Sequence, residues 1–276
     1  MATASLFDDG TPSSVVAWKQ AASKGGLLVR SHITESQFLV LRTLIINSRA
    51  HAFNPARYQL TWRLGHARQL LRASTHFAHY VQAIRAGSLD GMGDFGPLRK
   101  QQYEILAAGR QSDKLRKCDE TPINPSNTSW WRNTKIRLEA NFGHLAGVAA
   151  DSKFVAITDG QMQDKMSMQI KGVVECKSRA RRSCGRAVDM QEAAMLVAWI
   201  KEFPGPQRRV LVSQDGREIY VTFAVYGEAW KKDYLRDGNL RLDARGFMRI
   251  NRFGPWVIND ADNMEEVAAI LLAISL

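Results

Sequence analysis

The sequence predicts a mixed α/β (α+β) protein with a helical N-terminal region. From residue 131 onward, apolar patterns follow one another as helix, strand, strand, helix, strand and strand, the order of a mixed α/β domain. The pair Asp215-Gly216 separates two apolar runs, which is a strong signal for a β-hairpin. Ahead of residue 119, apolar residues recur instead at helical spacing.

The first half of the chain divides into a tail and a helical region. Residues 1–24 are small and polar, and we expect a flexible tail there. Within residues 25–118, the stretches ITESQFLVLRTLIINSRA and RYQLTWRLGHARQLLRASTHFAHYVQAIRAG predict helix, the second ending at Gly87. The stretch KQQYEILAAGRQ predicts a further short helix.

Residues 119–276 are predicted as the second domain. It opens with DETPINPSNTS, which is typical of a linker. NTKIRLEANFGHLAGVAA predicts a helix, KFVAITDG and SMQIKGVVECKS predict strands, and AVDMQEAAMLVAWIKEF predicts a helix that ends before Pro204. The remaining segments are the hairpin strands RRVLVSQ and REIYVTFAVY, the helix EAWKKDYLR, the extended FMRINRFGPWVI and the helix NMEEVAAILLAISL.

Composition narrows the class of protein. The chain has 276 residues, of which 45% are hydrophobic, enough for a sizeable core. No run of 18 apolar residues predicts a membrane span, and the N-terminus lacks the pattern of a secretory signal. Three cysteines without a CxxC pair argue against a disulfide framework or a zinc knuckle. We therefore expect an intracellular protein, nuclear or cytoplasmic.

The charge points to a polyanionic partner. The 38 basic and 27 acidic residues give a formal net charge of +11, and nucleic acid is the first candidate. The predicted N-terminal helices carry five arginines on polar faces, namely Arg57, Arg63, Arg68, Arg72 and Arg85. The alternative is an ordinary solvated basic surface.

The stretch GVVECKSRARR carries the candidate chemistry. Side chains alternate along a strand, so Glu175 and Lys177 emerge together on one face at the strand end. If the preceding strand, ending at Asp159, pairs with this one, the two carboxylates lie side by side. They would repel each other unless a cation lay between them, and Mg²⁺ or Mn²⁺ suits oxygen ligands. The lysine would then orient a water for attack on a phosphodiester.

This combination resembles the PD-(D/E)xK nuclease superfamily. The matching features are Asp159, the ECK triplet at 175–177 on an apolar strand, and the helix beginning MQEAAML. Together with RRVLVSQDGREIYVTFA and RFGPWVI, they also resemble the fungal PD-(D/E)xK nuclease-like proteins over about residues 130–276. The resemblance implies a restriction-endonuclease-like core with a central mixed sheet flanked by helices.

The resemblance also implies roles for single residues. Asp159, Glu175 and the backbone carbonyl of Cys176 would hold the metal ion, and Lys177 would position the water. The family's accessory acid matches Glu139, on the helix predicted before the sheet. The glutamine at the start of the next helix matches Gln191.

The match departs from the family pattern in three ways. Thr158 stands where the family name has proline. Sixteen positions separate Asp159 from Glu175, which requires a long or bulged hairpin, and Asp164 is a competing acid within that connection. Each of these residues also has a structural alternative, such as a surface ion pair, a turn residue or a helix-surface acid.

A basic segment follows the acidic strand end. We expect its cations to contact phosphates of DNA, preferred over RNA, and they are Lys171, Arg179, Arg181, Arg182 and Arg186. A nuclear-targeting patch is the rival use of KSRARR. The sequence thus predicts a magnesium- or manganese-dependent nuclease, with a homodimer left open. The alternatives are an inactive nucleic-acid-binding or scaffold protein with this fold, a nuclease toxin of a genome-conflict system, and a protein-interaction module.

Overall fold

The computed structural model describes residues 38, 41–89, 93–107, 129–142, 153–183, 185–206, 208–235 and 246–276. Its nine strands are β1 (Thr43–Ser48), β2 (Ser129–Arg132), β3 (Arg137–Asn141), β4 (Lys153–Ile157), β5 (Gly160–Asp164), β6 (Ile170–Lys177), β7 (Arg208–Asp215), β8 (Glu218–Val225) and β9 (Met248–Val257). The α-helices whose bounds lie within the described residues are α1 (Thr61–Ala73), α2 (Thr75–Ala86), α3 (Gly96–Ala107), α4 (Gly185–Glu202), α5 (Glu228–Leu235) and α6 (Ala261–Ser275).

Seven strands form one mixed sheet, which confirms the mixed α/β class. The strand order is β1-β9-β8-β7-β6-β5-β2, while β3 and β4 form a separate antiparallel ribbon. The pairs β1/β9 and β6/β7 are parallel and the other neighbours are antiparallel. Since α4 connects the parallel neighbours β6 and β7, the carboxyl ends of both strands meet at one edge of the sheet.

The sheet separates two hydrophobic cores. Leu211 of β7 packs with α4 and the β3–β4 ribbon on one face. Its neighbours Val210 and Val212 pack with α1, α2 and α6 on the other face. This follows from the alternation of side chains along a strand. Within the described residues, no helix is both long and apolar enough to span a bilayer.

Two predicted helices are strands in the structure. Residues 43–48, predicted as helix, form β1 at the edge of the sheet, where Thr43, Ile45 and Ile46 supply the branched side chains that favour strands. Residues 137–141, also predicted as helix, form β3, in which Leu138 and Ala140 are buried and their neighbours are not. In β3 the burial alternates with a period of two, as in a strand, whereas β1 depends on its pairing with β9. The continuation of the second predicted helix, residues 143–150, lies outside the described residues.

The other element predictions are confirmed, with one refinement. The long helix predicted up to Gly87 is two helices, because Ser74 interrupts it and caps α2 by accepting a hydrogen bond from the Phe77 amide at 3.2 Å. Gly87 ends α2 with φ of 66°, a conformation that suits glycine. The hairpin at Asp215-Gly216 and helices α3 to α6 also lie where the sequence predicts them.

The N-terminal elements share the sheet and its core with the rest of the protein. Strand β1 pairs with β9, and α1 packs against α6. The division into residues 25–118 and 119–276 stays a prediction. The predicted tail, Cys118, Cys184 and most of the predicted linker lie outside the described residues.

Candidate active site

Glu175 and Lys177 lie at the carboxyl end of β6, on the face covered by α4. Glu175 is only 2% exposed, and the Lys177 ammonium donates a hydrogen bond to its Oε1. The alternation predicted from the sequence is therefore confirmed. A carboxylate buried this far needs compensation, and Lys177 supplies the opposite charge.

Gln191, on the helix α4 that covers this face of the sheet, contacts the same carboxylate. Its Nε2 donates to Glu175 Oε1 at 2.7 Å, so the structure brings Gln191 together with this strand end. Both donors act on Oε1, whereas the buried Oε2 accepts no hydrogen bond from the described residues. One oxygen of Glu175 is therefore fixed and the other remains available as a ligand.

The environment of Glu175 opposes its ionisation. Burial raises the pKa of this carboxyl from 4.5 to about 7, although the Lys177 ammonium opposes the rise and the charges of Asp159 and Glu192 add to it. A divalent cation near Oε2 would reverse this balance, because it favours the charged carboxylate.

Asp159 lies beside the same strand end. Its backbone amide donates to the Val174 carbonyl at 2.9 Å, and its Oδ2 accepts from the Cys176 amide at 3.0 Å. The Lys135 ammonium lies 3.2 Å from Oδ1. The predicted proximity of Asp159 to β6 is therefore confirmed.

The strand that pairs with β6 next to Asp159 is not the strand that the sequence predicts for this position. The strand KFVAI, β4, pairs with β3, and the chain enters the large sheet only at Gly160, the first residue of β5. The β5–β6 hairpin shifts register between Met162 and Gln163, which accommodates the sixteen-position separation as a bulge.

The competing acid Asp164 belongs to the far end of this hairpin. Its Oδ1 accepts from the amides of Met166 and Ser167 at 3.0 and 2.9 Å, and its Oδ2 lies 2.5 Å from Lys171 Nζ. The hydrogen bond from Lys171 and those from the turn hold the pKa of Asp164 well below its usual range. Asp164 therefore stabilises a turn.

Glu139 does not lie on a helix, so that part of the prediction is wrong. It lies on β3, where its carboxylate pairs with Arg137 at 2.9 Å and with Lys153 at 3.9 Å. These contacts keep the carboxylate within the β3–β4 ribbon. None of the contacts found for Glu139 among the described residues joins it to Glu175 or Asp159.

The oxygen atoms at this strand end are of the type that a hard divalent cation prefers, but the described side chains supply few of them. Among the described residues, no three His, Cys, Asp or Glu side chains cluster closely enough to hold an ion. Glu175 Oε2 and the Asp159 carboxylate remain as two anionic ligands, with the Cys176 carbonyl next to Glu175 in the chain. An all-oxygen set completed by water is the coordination that Mg²⁺ prefers.

Neither a scan against protein-family models nor a search of curated proteins gives a match to this chain. The chemistry of the site therefore rests on the geometry of the chain itself. Its elements are a buried carboxylate, a paired lysine, a clamping glutamine and a second carboxylate at one strand end.

Arg181 is not available to phosphates, which corrects its place in the predicted DNA-binding set. Its guanidinium is nearly buried and bonds Glu192 Oε1 at 2.5 Å, Asp215 Oδ2 at 2.7 Å and Ser213 Oγ at 3.1 Å. It also lies over the ring of Tyr220, 4.6 Å from the centroid. Arg181 therefore anchors the loop that follows β6 to α4 and to the carboxyl end of β7.

Arg252 completes the buried network. It bonds Glu192 Oε2 at 2.5 Å and Asp189 at 2.7 Å. Burial alone would raise the pKa of Glu192, but Arg252 and Arg181 outweigh it and hold this pKa below its usual range. Sequence reasoning missed the network, although an acid directly before the apolar run of residues 193–200 signals a buried partner.

The remaining predicted phosphate contacts divide by position. Arg179 and Arg182 are exposed in the loop that follows β6, and Arg186 is exposed in the first turn of α4. Lys171 is bound to Asp164 at the other end of β6, about 13 Å from Glu175 at the rise of a strand. Lys171 therefore lies away from the site, and phosphate binding by the three arginines stays a prediction.

Proposed function

We propose that the protein is a metal-dependent nuclease that hydrolyses phosphodiester bonds, with DNA as its preferred substrate. The observation that carries the proposal is the state of Glu175: a buried carboxylate with one oxygen clamped by Lys177 and Gln191 and the other without a donor among the described residues. Both donors act on Oε1, so Oε2 is the oxygen of this carboxylate that could take a cation as its partner.

Glu175 Oε2, Asp159 and the Cys176 carbonyl would hold Mg²⁺ or Mn²⁺. When bound, the ion polarises a phosphoryl oxygen and lowers the pKa of a water. Gln191 keeps Oε1 occupied, so that Oε2 stays directed to the ion. Lys177 would hold the attacking water or the substrate phosphate, because a cation on Glu175 would replace part of the pairing that Lys177 makes with this carboxylate.

The loop after β6 would position the substrate. Arg179 and Arg182 are exposed on either side of the buried Arg181, which fixes the loop next to the site. Phosphate contacts of this kind give affinity without sequence preference.

A non-cleaving protein with the same fold is the second candidate. The observation in its favour is that Lys177 and Lys135 already neutralise the two carboxylates, so that the site is electrically balanced without a cation. In that case Arg179 and Arg182 would still bind nucleic acid.

A plasmid-nicking assay separates the two candidates. Wild-type protein is incubated with supercoiled plasmid and with single-stranded DNA in Mg²⁺, Mn²⁺ or EDTA, beside Glu175→Gln and Asp164→Asn. The nuclease proposal predicts cation-dependent nicking that Glu175→Gln abolishes and Asp164→Asn retains, because Asp164 belongs to a turn. Wild-type protein that nicks nothing in either cation, or nicking that survives Glu175→Gln, would refute it.

A further inference from the structure

A long stretch of the sequence without acidic residues supplies helices that cover the sheet face opposite Glu175. From Ser36 to Leu89 the sequence contains seven arginines and four histidines and no aspartate or glutamate. Much of it forms α1, α2 and the turn Pro55–Tyr58, which pack on the second core. This segment therefore carries a large part of the positive charge of the chain, on a different surface from the basic loop.

One part of this segment gathers arginines that have no acidic partner. Arg57 and Arg63 are exposed, and neither forms an ion pair with any described residue. Arg208, at the start of β7, donates a hydrogen bond to the Tyr58 carbonyl. Burial raises the pKa of Tyr58, and the positive charges of the nearby Arg57 and Arg208 oppose this rise. Burial and then the charge of Arg63 lower the pKa of Arg208. Uncompensated like charges held together favour an anionic partner.

An exposed aromatic ring precedes Arg63 in helix α1. Trp62 is 78% exposed, and its ring stacks on that of His66, with centroids 5.8 Å apart and planes 4° from parallel. An apolar ring of this size gains nothing from solvent, and its exposed face has the shape and polarisability that a nucleobase needs for stacking. We call Arg57, Trp62, Arg63, His66 and Arg208 the arginine surface.

We propose that the arginine surface binds single-stranded nucleic acid, with bases stacked on Trp62 and phosphates held by the flanking arginines. A duplex would offer its phosphates but not its base faces, so the exposed tryptophan favours a single strand. This is a second nucleic-acid site, and binding there needs neither the cation nor Glu175.

The position of the arginine surface sets its relation to the candidate active site. Arg208 is the first residue of β7, and Asp215, which pairs with Lys177 of β6, is the last. At the rise per residue of a β-strand, the two ends of β7 lie about 23 Å apart. The arginine surface also lies with the core on the other face of the sheet. A strand bound on Trp62 would have to pass around the sheet edge to reach Glu175, so the surface would hold a distal part of a substrate.

The test is fluorescence anisotropy of a labelled oligothymidylate of about 16 nucleotides, the upper end of common single-strand site sizes. EDTA is present throughout, so that the result does not depend on cleavage. Trp62→Ala should weaken binding roughly fivefold or more, the lower end of the cost of removing one base-stacking side chain. Arg63→Ala should lower the slope of log affinity against log salt by about 0.7, the value for one phosphate of a single strand.

Two matched variants serve as controls. Tyr103→Ala removes an exposed aromatic from α3, and Arg85→Ala removes an arginine of the same layer that is already paired with Asp262 at 2.7 Å. Both should leave affinity and salt slope unchanged, and Trp62→Phe should retain most of the affinity because it keeps a ring.

Three results would overturn the proposal. The first is Trp62→Ala and Arg63→Ala binding as tightly as the wild type with the same salt slope. The second is an equal weakening in the two control variants, and the third is binding of the wild type to phosphatidylserine vesicles but not to the oligonucleotide. None of these depends on hydrolysis, so this proposal and the nuclease proposal can fail separately.

Discussion

Replacing Glu175 with glutamine should stabilise the metal-free protein above neutral pH. The carboxyl is 2% exposed, and its pKa rises from 4.5 to about 7 on folding because burial disfavours the charge. The folded state therefore holds a proton that the unfolded chain releases between these two values. Stability from this group is fully present below 4.5 and is lost as pH rises through about 7.

The size of this effect follows from the shift. At about 1.4 kcal/mol for each pKa unit, the change from 4.5 to about 7 corresponds to about 3 kcal/mol. Urea denaturation in EDTA, repeated across this pH range, measures it. The difference in unfolding free energy between Glu175→Gln and wild type should be near zero at acid pH and grow to about 3 kcal/mol above neutrality.

Asp164→Asn is the control with the opposite sign. Hydrogen bonds from Lys171 and the turn hold the pKa of Asp164 below its usual range, so its contribution is present at neutral pH and lost as pH falls. Asp164→Asn should therefore lower stability at neutral pH, with a difference that disappears in acid. A Glu175→Gln curve that runs parallel to wild type at every pH would refute the reasoning.

Three further predictions concern the site and its loop. Lys177→Ala should leave Mn²⁺ binding intact and slow plasmid nicking by about 10²-fold, as removal of a positioned proton-transfer or charge-stabilising group does; unchanged single-turnover rates would contradict this. Arg181→Met should lower the urea-derived unfolding free energy by about 3–5 kcal/mol, because it leaves the buried carboxylates of Glu192 and Asp215 without this cation. The control Arg182→Met changes an exposed residue and should alter the unfolding free energy by less than about 0.5 kcal/mol. Replacing Arg179 and Arg182 together with alanine should reduce the salt slope of duplex binding by about 0.9 for each phosphate that the variant no longer neutralises, and a slope equal to wild type would place duplex binding elsewhere.

The sequence predicts the site best where the pattern is local. Glu175 and Lys177 share a face because strand periodicity requires it, and Gln191 reaches them because a helix of this length follows the strand. Asp159 is harder to place, because its proximity depends on β5, a short strand with little apolar pattern.

Sequence reasoning fails where tertiary contacts decide. Thr43–Ser48 becomes a strand only because β9 lies beside it, and this partner comes from the other end of the chain. Arg181 belongs to a basic run, yet its burial depends on Glu192 and Asp215, which come from α4 and β7. A run of basic residues in a sequence does not show which of them will be buried.

Calorimetric titration of Mn²⁺ into the protein tests the central claim most directly, namely that Glu175 holds a divalent cation. The account predicts saturable binding to the wild type at neutral pH or above, with proton release because the buried carboxyl must ionise. Glu175→Gln should lose this binding, while Lys177→Ala and Asp164→Asn should keep it. Wild-type protein that binds no Mn²⁺, or Glu175→Gln protein that binds it as tightly as the wild type, would contradict the account.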